Sequence, residues 1–129
     1  MILIESSVLM QAQRLPDSHE AIELATLMSS GEAALTGPVI MEYLRGARSP
    51  AELDFLAERV VSVECLETDQ QAWVIAGRLS NRLIRAGSQM TDLDVAIAAT
   101  AIRHDVPLYT LDGAFERIPE LRLYRSLPS

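Results

Sequence analysis

Four acidic residues carry the chemistry that this sequence offers. Glu5, Glu42, Asp94 and Asp112 each fall where an apolar run ends or along a short helix-forming stretch. Three of them adjoin small or hydroxyl residues that let the backbone approach a ligand. Ser6 and Ser7 follow Glu5, Thr91 precedes Asp94, and Gly113 follows Asp112. Carboxylates gathered in one pocket raise one another's pKa and cannot all stay ionised without a counter-charge. A hard divalent cation resolves this, and Mg²⁺ takes a few carboxylates together with waters and substrate phosphates. A water on such an ion can attack a phosphodiester while the metal neutralises charge on the phosphate.

Taken singly, each acid also has an ordinary explanation. Asp92 and Asp94 open a helix, where acids are favoured by the macrodipole. Asp112-Gly113 is a common turn pair, and Glu42 on a helix edge can simply be solvated. Glu5, placed straight after an apolar strand, is the least explained by propensity. The functional argument therefore rests on the four together. His19 and His104 read as structural, His104 because a partly charged imidazole is favoured near a helix C-terminus. Trp73 reads as core or interface. Arg78, Arg82 and Arg85 form a stripe on a long helix, either a solvated face or a place to position RNA phosphates.

The elements that must position these acids follow from periodicity and punctuation. Residues 1–4 form an apolar first strand, and Ser6 and Ser7 can cap a helix over 8–14. Pro16-Asp17-Ser18 opens a second helix with Ile22, Ala25, Leu24 and Met28 inward, ending at Ser30-Gly31. A short strand at 33–36 leads through Gly37-Pro38, with Pro at the first helical position. The helix it opens turns Val39, Ile40, Tyr43, Leu44 and Ala47 inward, with Glu42 at the edge and Gly46 leaving space one turn on. Ser49-Pro50 starts a fourth helix to about residue 59, and 60–66 alternates enough for a strand. Thr68-Asp69 starts a long helix with Ala72, Ile75, Ala76, Leu79 and Leu83 inward, closed by Gly87. Thr91 caps an alanine-rich helix, residues 106–110 form a buried strand, and 121–124 reads as an edge strand. Strands alternating with helices predict a single α/β domain with a mostly parallel sheet, whose ligand rim lies outside the carboxyl ends of the strands.

Composition narrows the class. With 129 residues and 49% hydrophobic residues, the chain suits one packed domain. Its net charge of −7 argues against gripping nucleic acid by bulk electrostatics. All 11 basic residues are arginine. The missing lysine removes Schiff-base and P-loop chemistry and weighs against lysine-dependent phosphoryl-transfer sites. One cysteine, Cys65, precludes an intrachain disulfide and points to a reducing, cytoplasmic setting. The start MILIESS lacks the basic region of a signal peptide. The apolar stretch 95–102 falls far short of the ~20 residues that a membrane span needs.

At this point the chain resembles a known family, the PIN domain, and within it the VapC-type toxin ribonucleases of bacterial toxin–antitoxin pairs. The resemblance is carried by ILIESSVL at 2–9, PVIMEYLRGA at 38–47, DVAIAATAIRHDVPLYTLD at 94–112 and FERIPELRLY at 115–124. It implies a three-layer α/β/α fold over residues 1–129 and a Mg²⁺- or Mn²⁺-dependent endoribonuclease. Glu5, Glu42, Asp94 and Asp112 would hold the metal and orient the attacking water. It also implies an RNA substrate, tRNA among the candidates, a homodimer, and a VapB-type antitoxin that blocks the site. Two positions depart from the family pattern. Position 5 is Glu where the family has Asp, and position 114 is Ala where many relatives carry another acid. The alternative reading is therefore a catalytically weakened module that acts mainly by binding RNA or its antitoxin.

Overall fold

The computed structural model describes residues 1–125. Its centre is β1 (Ile2–Ile4), whose Leu3 and Ile4 are fully buried. Short apolar runs of this kind form strands covered on both faces. β1 leads through α1 (Ser6–Arg14) and α2 (His19–Ser29) to β2 (Ala33–Leu35), then through α3 (Gly37–Arg45) and α4 (Pro50–Val61) to β3 (Glu64–Cys65). The long α5 (Gln70–Arg85) and α6 (Asp92–His104) follow, then β4 (Leu108–Tyr109) and a 3-10 helix (Gly113–Arg117). The four strands are all parallel, in the order β3-β2-β1-β4.

That order determines where a ligand can sit. From β1 the chain steps to β2 and then β3 on one side, and only afterwards crosses back to lay β4 on the other side of β1. Right-handed crossovers then put the helices of the first two steps on one face and α5 and α6 on the other, giving the three layers. The strand order reverses between β1 and β4. The crevice outside their carboxyl ends is the switch point at which open α/β sheets take ligands. Leu3 pairs with Leu108 and Ile4 with Tyr109, so the residues just past each strand, Glu5 and Thr110, emerge side by side. α3 meets α6 as well as α1 and α4, which brings a third segment to the same crevice.

Local chemistry explains most helix starts. Ser18, Ser49, Asp69 and Thr91 each accept a backbone N–H from the first turn of the helix they precede. α6 is buried all round from Val95 to Ala101 rather than along one face. Small side chains allow that, since α5 and the sheet can both approach closely. A chain of three threonine hydroxyls ties these parts together, with Thr36 and Thr100 fully buried. Thr36 Oγ1 lies 3.1 Å from Thr68 Oγ1, which lies 2.8 Å from Thr100 Oγ1. Thr100 donates to the Ala96 carbonyl at 2.8 Å. Its one proton is thereby used, so Thr68 donates to Thr100 and Thr36 to Thr68. The chain links the start of α3 to the middle of α6.

Several expectations are corrected. α4 runs on to Val61, and β3 keeps only Glu64 and Cys65, both exposed at the sheet edge. Val60 is buried one turn after Leu56, so helical period wins over the apolar run at 60–63. In α2, Leu24 and Leu27 are buried, whereas Ile22 is 62% exposed and Ala25 is also exposed. The helix is rotated relative to the expected stripe. Residues 121–124 contribute one parallel bridge, Leu108 to Leu123, not a strand. Trp73 is 53% exposed, which removes it from the core. No helix among the described residues is long and apolar enough to cross a membrane.

Candidate metal centre

Glu5 is the first residue beyond β1 and the N-cap of α1. A side chain there commonly folds back onto the helix start, but Glu5 makes no such cap. Its carboxylate, on a residue only 5% exposed, is taken up by hydroxyls instead. Ser6 donates to Oε2 at 2.9 Å, while Ser7 and Thr110 each donate to Oε1 at 2.5 Å. Ser7 and Thr110 in turn accept the backbone N–H groups of Leu111 and Asp112, at 2.9 and 3.0 Å. The loop after β4 is thus pinned to Glu5 through two hydroxyls. Three donors on a carboxylate with about four lone-pair sites leave Glu5 one free direction.

Glu42 lies on the part of α3 that faces this crevice. Ser6 Oγ is 3.0 Å from its Oε1, so one hydroxyl proton is shared between two carboxylates. Arg45, one turn on, is 3.8 Å from Oε2 and half-neutralises the pair from the solvent side. Asp94 is third in α6, with its backbone N–H on Thr91 Oγ1 at 3.3 Å. Burial pushes its pKa up, the Thr91 hydroxyl pulls it down, and the charges of Glu5, Glu42 and Asp112 push it up again. The net shift is upward. One oxygen from each of Glu5, Glu42 and Asp94 lies within 4.8 Å of the others. The donors are all carboxylate oxygens, with no histidine or cysteine among them, which suits a hard cation such as Mg²⁺ or Mn²⁺.

Asp112 stands apart from that group of three. It is exposed and heads the 3-10 helix, where its Oδ1 accepts the Ala114 N–H at 2.9 Å. It lies near enough for its charge to add to the upward push on Asp94. Asp92 is exposed at the helix start, as its macrodipole role requires. His104 Nε2 bonds the Glu67 carbonyl at 2.8 Å and His19 contacts Glu23 at 3.0 Å, and neither joins the cluster. On α5, Arg82 is held by Glu120 at 2.8 Å, leaving Arg78 and Arg85 as the exposed members of the stripe without an ion pair among the described residues. Sequence reasoning missed Thr110, whose only local signal is its place two residues before Asp112 at the end of an apolar strand.

Comparison with known proteins agrees with this architecture. The family model of the PIN domain matches residues 2–121. Among solved structures, VapBC2 from Rickettsia felis bound to a promoter DNA fragment matches with a TM-score of 0.82 at 21% identity, covering 96% of this chain and 98% of its own. DNA-bound VapBC from Salmonella typhimurium matches with a TM-score of 0.82 at 23% identity, covering 95% and 96%. Mycobacterium tuberculosis VapC20, a sarcin-ricin loop cleaving toxin, matches with a TM-score of 0.65 at 15% identity, covering 95% and 99%. No curated protein matches the chain.

Proposed function

The chain belongs to the PIN domain family, and from that premise we propose that it is a Mg²⁺- or Mn²⁺-dependent endoribonuclease, the toxin of a toxin–antitoxin pair, acting in the cytoplasm as one domain. The observation that carries this reading is the convergence of Glu5, Glu42 and Asp94 from three separate segments to within 4.8 Å. Three acids so close repel one another, and a bound cation would offset a repulsion that opposes folding. The sarcin-ricin loop activity of the similar VapC20 supports RNA as the substrate class.

Glu5, Glu42 and Asp94 would hold the ion. When bound, it would supply a water of lowered pKa and offset the charge developing on the phosphate. The protein's own contribution is placement. The hydroxyls of Ser6, Ser7 and Thr110 fix the Glu5 carboxylate, so its free lone pair points one way. Asp112 sits on a turn tied to Glu5 through Thr110, and we assign it the role of orienting water at the rim. Arg45, 3.8 Å from Glu42, offsets part of the negative charge that RNA meets at the rim. The hydroxyl nest around Glu5 favours an active enzyme over a weakened one, because the pocket is built to the length of Glu.

A VapB-type antitoxin is the expected partner, in keeping with the VapBC complexes this fold resembles. Leu15 and Ile22 stand exposed at α1 and α2 as apolar anchors for it. Trp73 on α5 is a corresponding anchor for a second copy. The deciding experiment incubates the protein with RNA in Mg²⁺, in Mn²⁺ and in chelator, beside the Asp94→Asn and Glu42→Gln variants. Cleavage should require the ion and both acids. Equal cleavage in chelator, or by Asp94→Asn, would end this reading.

A further inference from the structure

A cavity of about 430 Å³ opens between the last turn of α5, the loop leading into α6 and the 3-10 helix. Its walls are Leu83, Ala86, Gly87, Ser88, Gln89 and Arg117. Both edges of the crevice described above border it by sequence: Ser88 and Gln89 precede Asp94, and Arg117 follows Asp112. Asp94 lies six positions after Ser88, a reach of at most about 20 Å. We propose that this cavity seats a nucleotide of single-stranded RNA flanking the bond that is cleaved, its phosphate on Arg117 and its base over Leu83 beside Gln89. The proposal rests on the ribonuclease reading and adds a substrate subsite to it.

Charge is the first argument. In a chain with a net charge of −7, no carboxylate lines this cavity, so an anion can enter it. Arg117 makes no ion pair among the described residues. Its Nη1 donates to Ser88 Oγ at 3.2 Å, which fixes the plane of the guanidinium and leaves its other N–H groups for a phosphate. Shape and polarity are the second. The volume falls within the range of small-ligand pockets, with a buried apolar floor at Leu83 and one amide, Gln89, that makes no hydrogen bond among the described residues. Gly87 keeps the mouth open, since its φ of +77° disfavours a side chain and nothing lies within 4 Å of where a Cβ would be. RNA is read by such sites when unstacked bases are splayed onto guanidinium planes and polar edges.

The test uses a short single-stranded RNA of mixed sequence, fluorescently labelled, titrated by anisotropy in chelator so that binding is read without cleavage. Arg117→Met should weaken binding about tenfold and reduce the slope of log Kd against log salt by about one. Gln89→Ala should change the preference among RNAs differing at one base. Arg122→Met removes the same charge at the far end of α6, beside Asp105, and should leave binding unchanged. In cleavage assays with Mn²⁺, Arg117→Met should raise KM and spare kcat. Wild-type affinity in Arg117→Met overturns the subsite while the ribonuclease reading stands. An equal loss in Arg122→Met also overturns it, because bulk charge then accounts for the effect. A wild-type protein that neither binds nor cleaves any RNA overturns both.

Discussion

At the scale of single residues, the acids were legible and their partners were not. Glu5, Glu42 and Asp94 could be singled out because each follows a strand or edges a helix, and all three meet. Asp112 could be singled out too, yet its Asx cap onto Ala114 turns one oxygen away, and no sequence signal distinguishes that from ligation. Thr110 lies 105 positions from the carboxylate it serves, so no local pattern could have paired them. Asp94 yields a prediction with a definite sign. Its folded pKa is raised, so its favourable contribution is fully present below the ordinary carboxylate range of about 4 and is lost as pH rises through the folded value. In chelator, the stability of the wild type relative to Asp94→Asn should therefore fall as pH rises from about 4. Urea denaturation of both proteins across that range checks it, and a difference that grows with pH contradicts the assignment. Asn in place of Asp94 should also abolish Mn²⁺ binding by calorimetry while circular dichroism stays unchanged.

Glu5→Asp tests the nest more sharply. Shortening the side chain withdraws the carboxylate by about 1.5 Å, the length of one carbon–carbon step. The Ser7 and Thr110 hydroxyls cannot follow, since each also holds a backbone N–H. The variant should lose roughly 1–3 kcal/mol of stability in urea titration and cleave RNA about a hundredfold more slowly. An Asp variant as stable and as fast as the wild type would show that the nest tolerates either acid.

At the scale of elements, punctuation was the most reliable guide. Ser18, Ser49, Asp69 and Thr91 cap as their residue types dictate. Thr36 precedes α3 and could cap it, but its hydroxyl is committed to Thr68 across the fold. The end of α4 is not legible in the sequence, because residues 60–63 fit a strand and a helix equally well over so short a run. The decision belongs to packing around Leu56 and Val60. The threonine chain makes a prediction of its own. Thr68→Val removes the middle hydroxyl and strands one neighbour's donor and the other's acceptor, which should cost about 1–3 kcal/mol. Replacing Thr36, Thr68 and Thr100 together with valine leaves no polar group unpaired except the Ala96 carbonyl, which is already an acceptor within its helix. The triple variant should therefore be less destabilised than the sum of the three single variants, as thermal and urea unfolding would report.

At the scale of the whole molecule, the sheet order could not be read from the sequence, since alternation predicts parallel strands without saying which neighbours which. The observed order puts the candidate site at the switch point, where an ion bound only by the folded chain would stabilise it by linkage. Bound metal should raise the unfolding free energy by about 2.7 kcal/mol at a hundredfold excess over Kd. A Tm that ignores both chelator and a wide range of Mn²⁺ would count against that coupling. The same order has a consequence for how the molecule comes into being. β1 is synthesised first, yet its partner β4 and the Thr110 hydroxyl on Glu5 come more than a hundred positions later. Pairing so distant in sequence forms slowly, because the intervening chain must be closed into a loop first. A nascent chain that has passed β2 and β3 holds Glu5 and Glu42 but neither Asp94 nor its own anchor at Thr110. The crevice is thus the last part of the molecule to close, and until β4 docks the chain carries acids that no fold yet holds together.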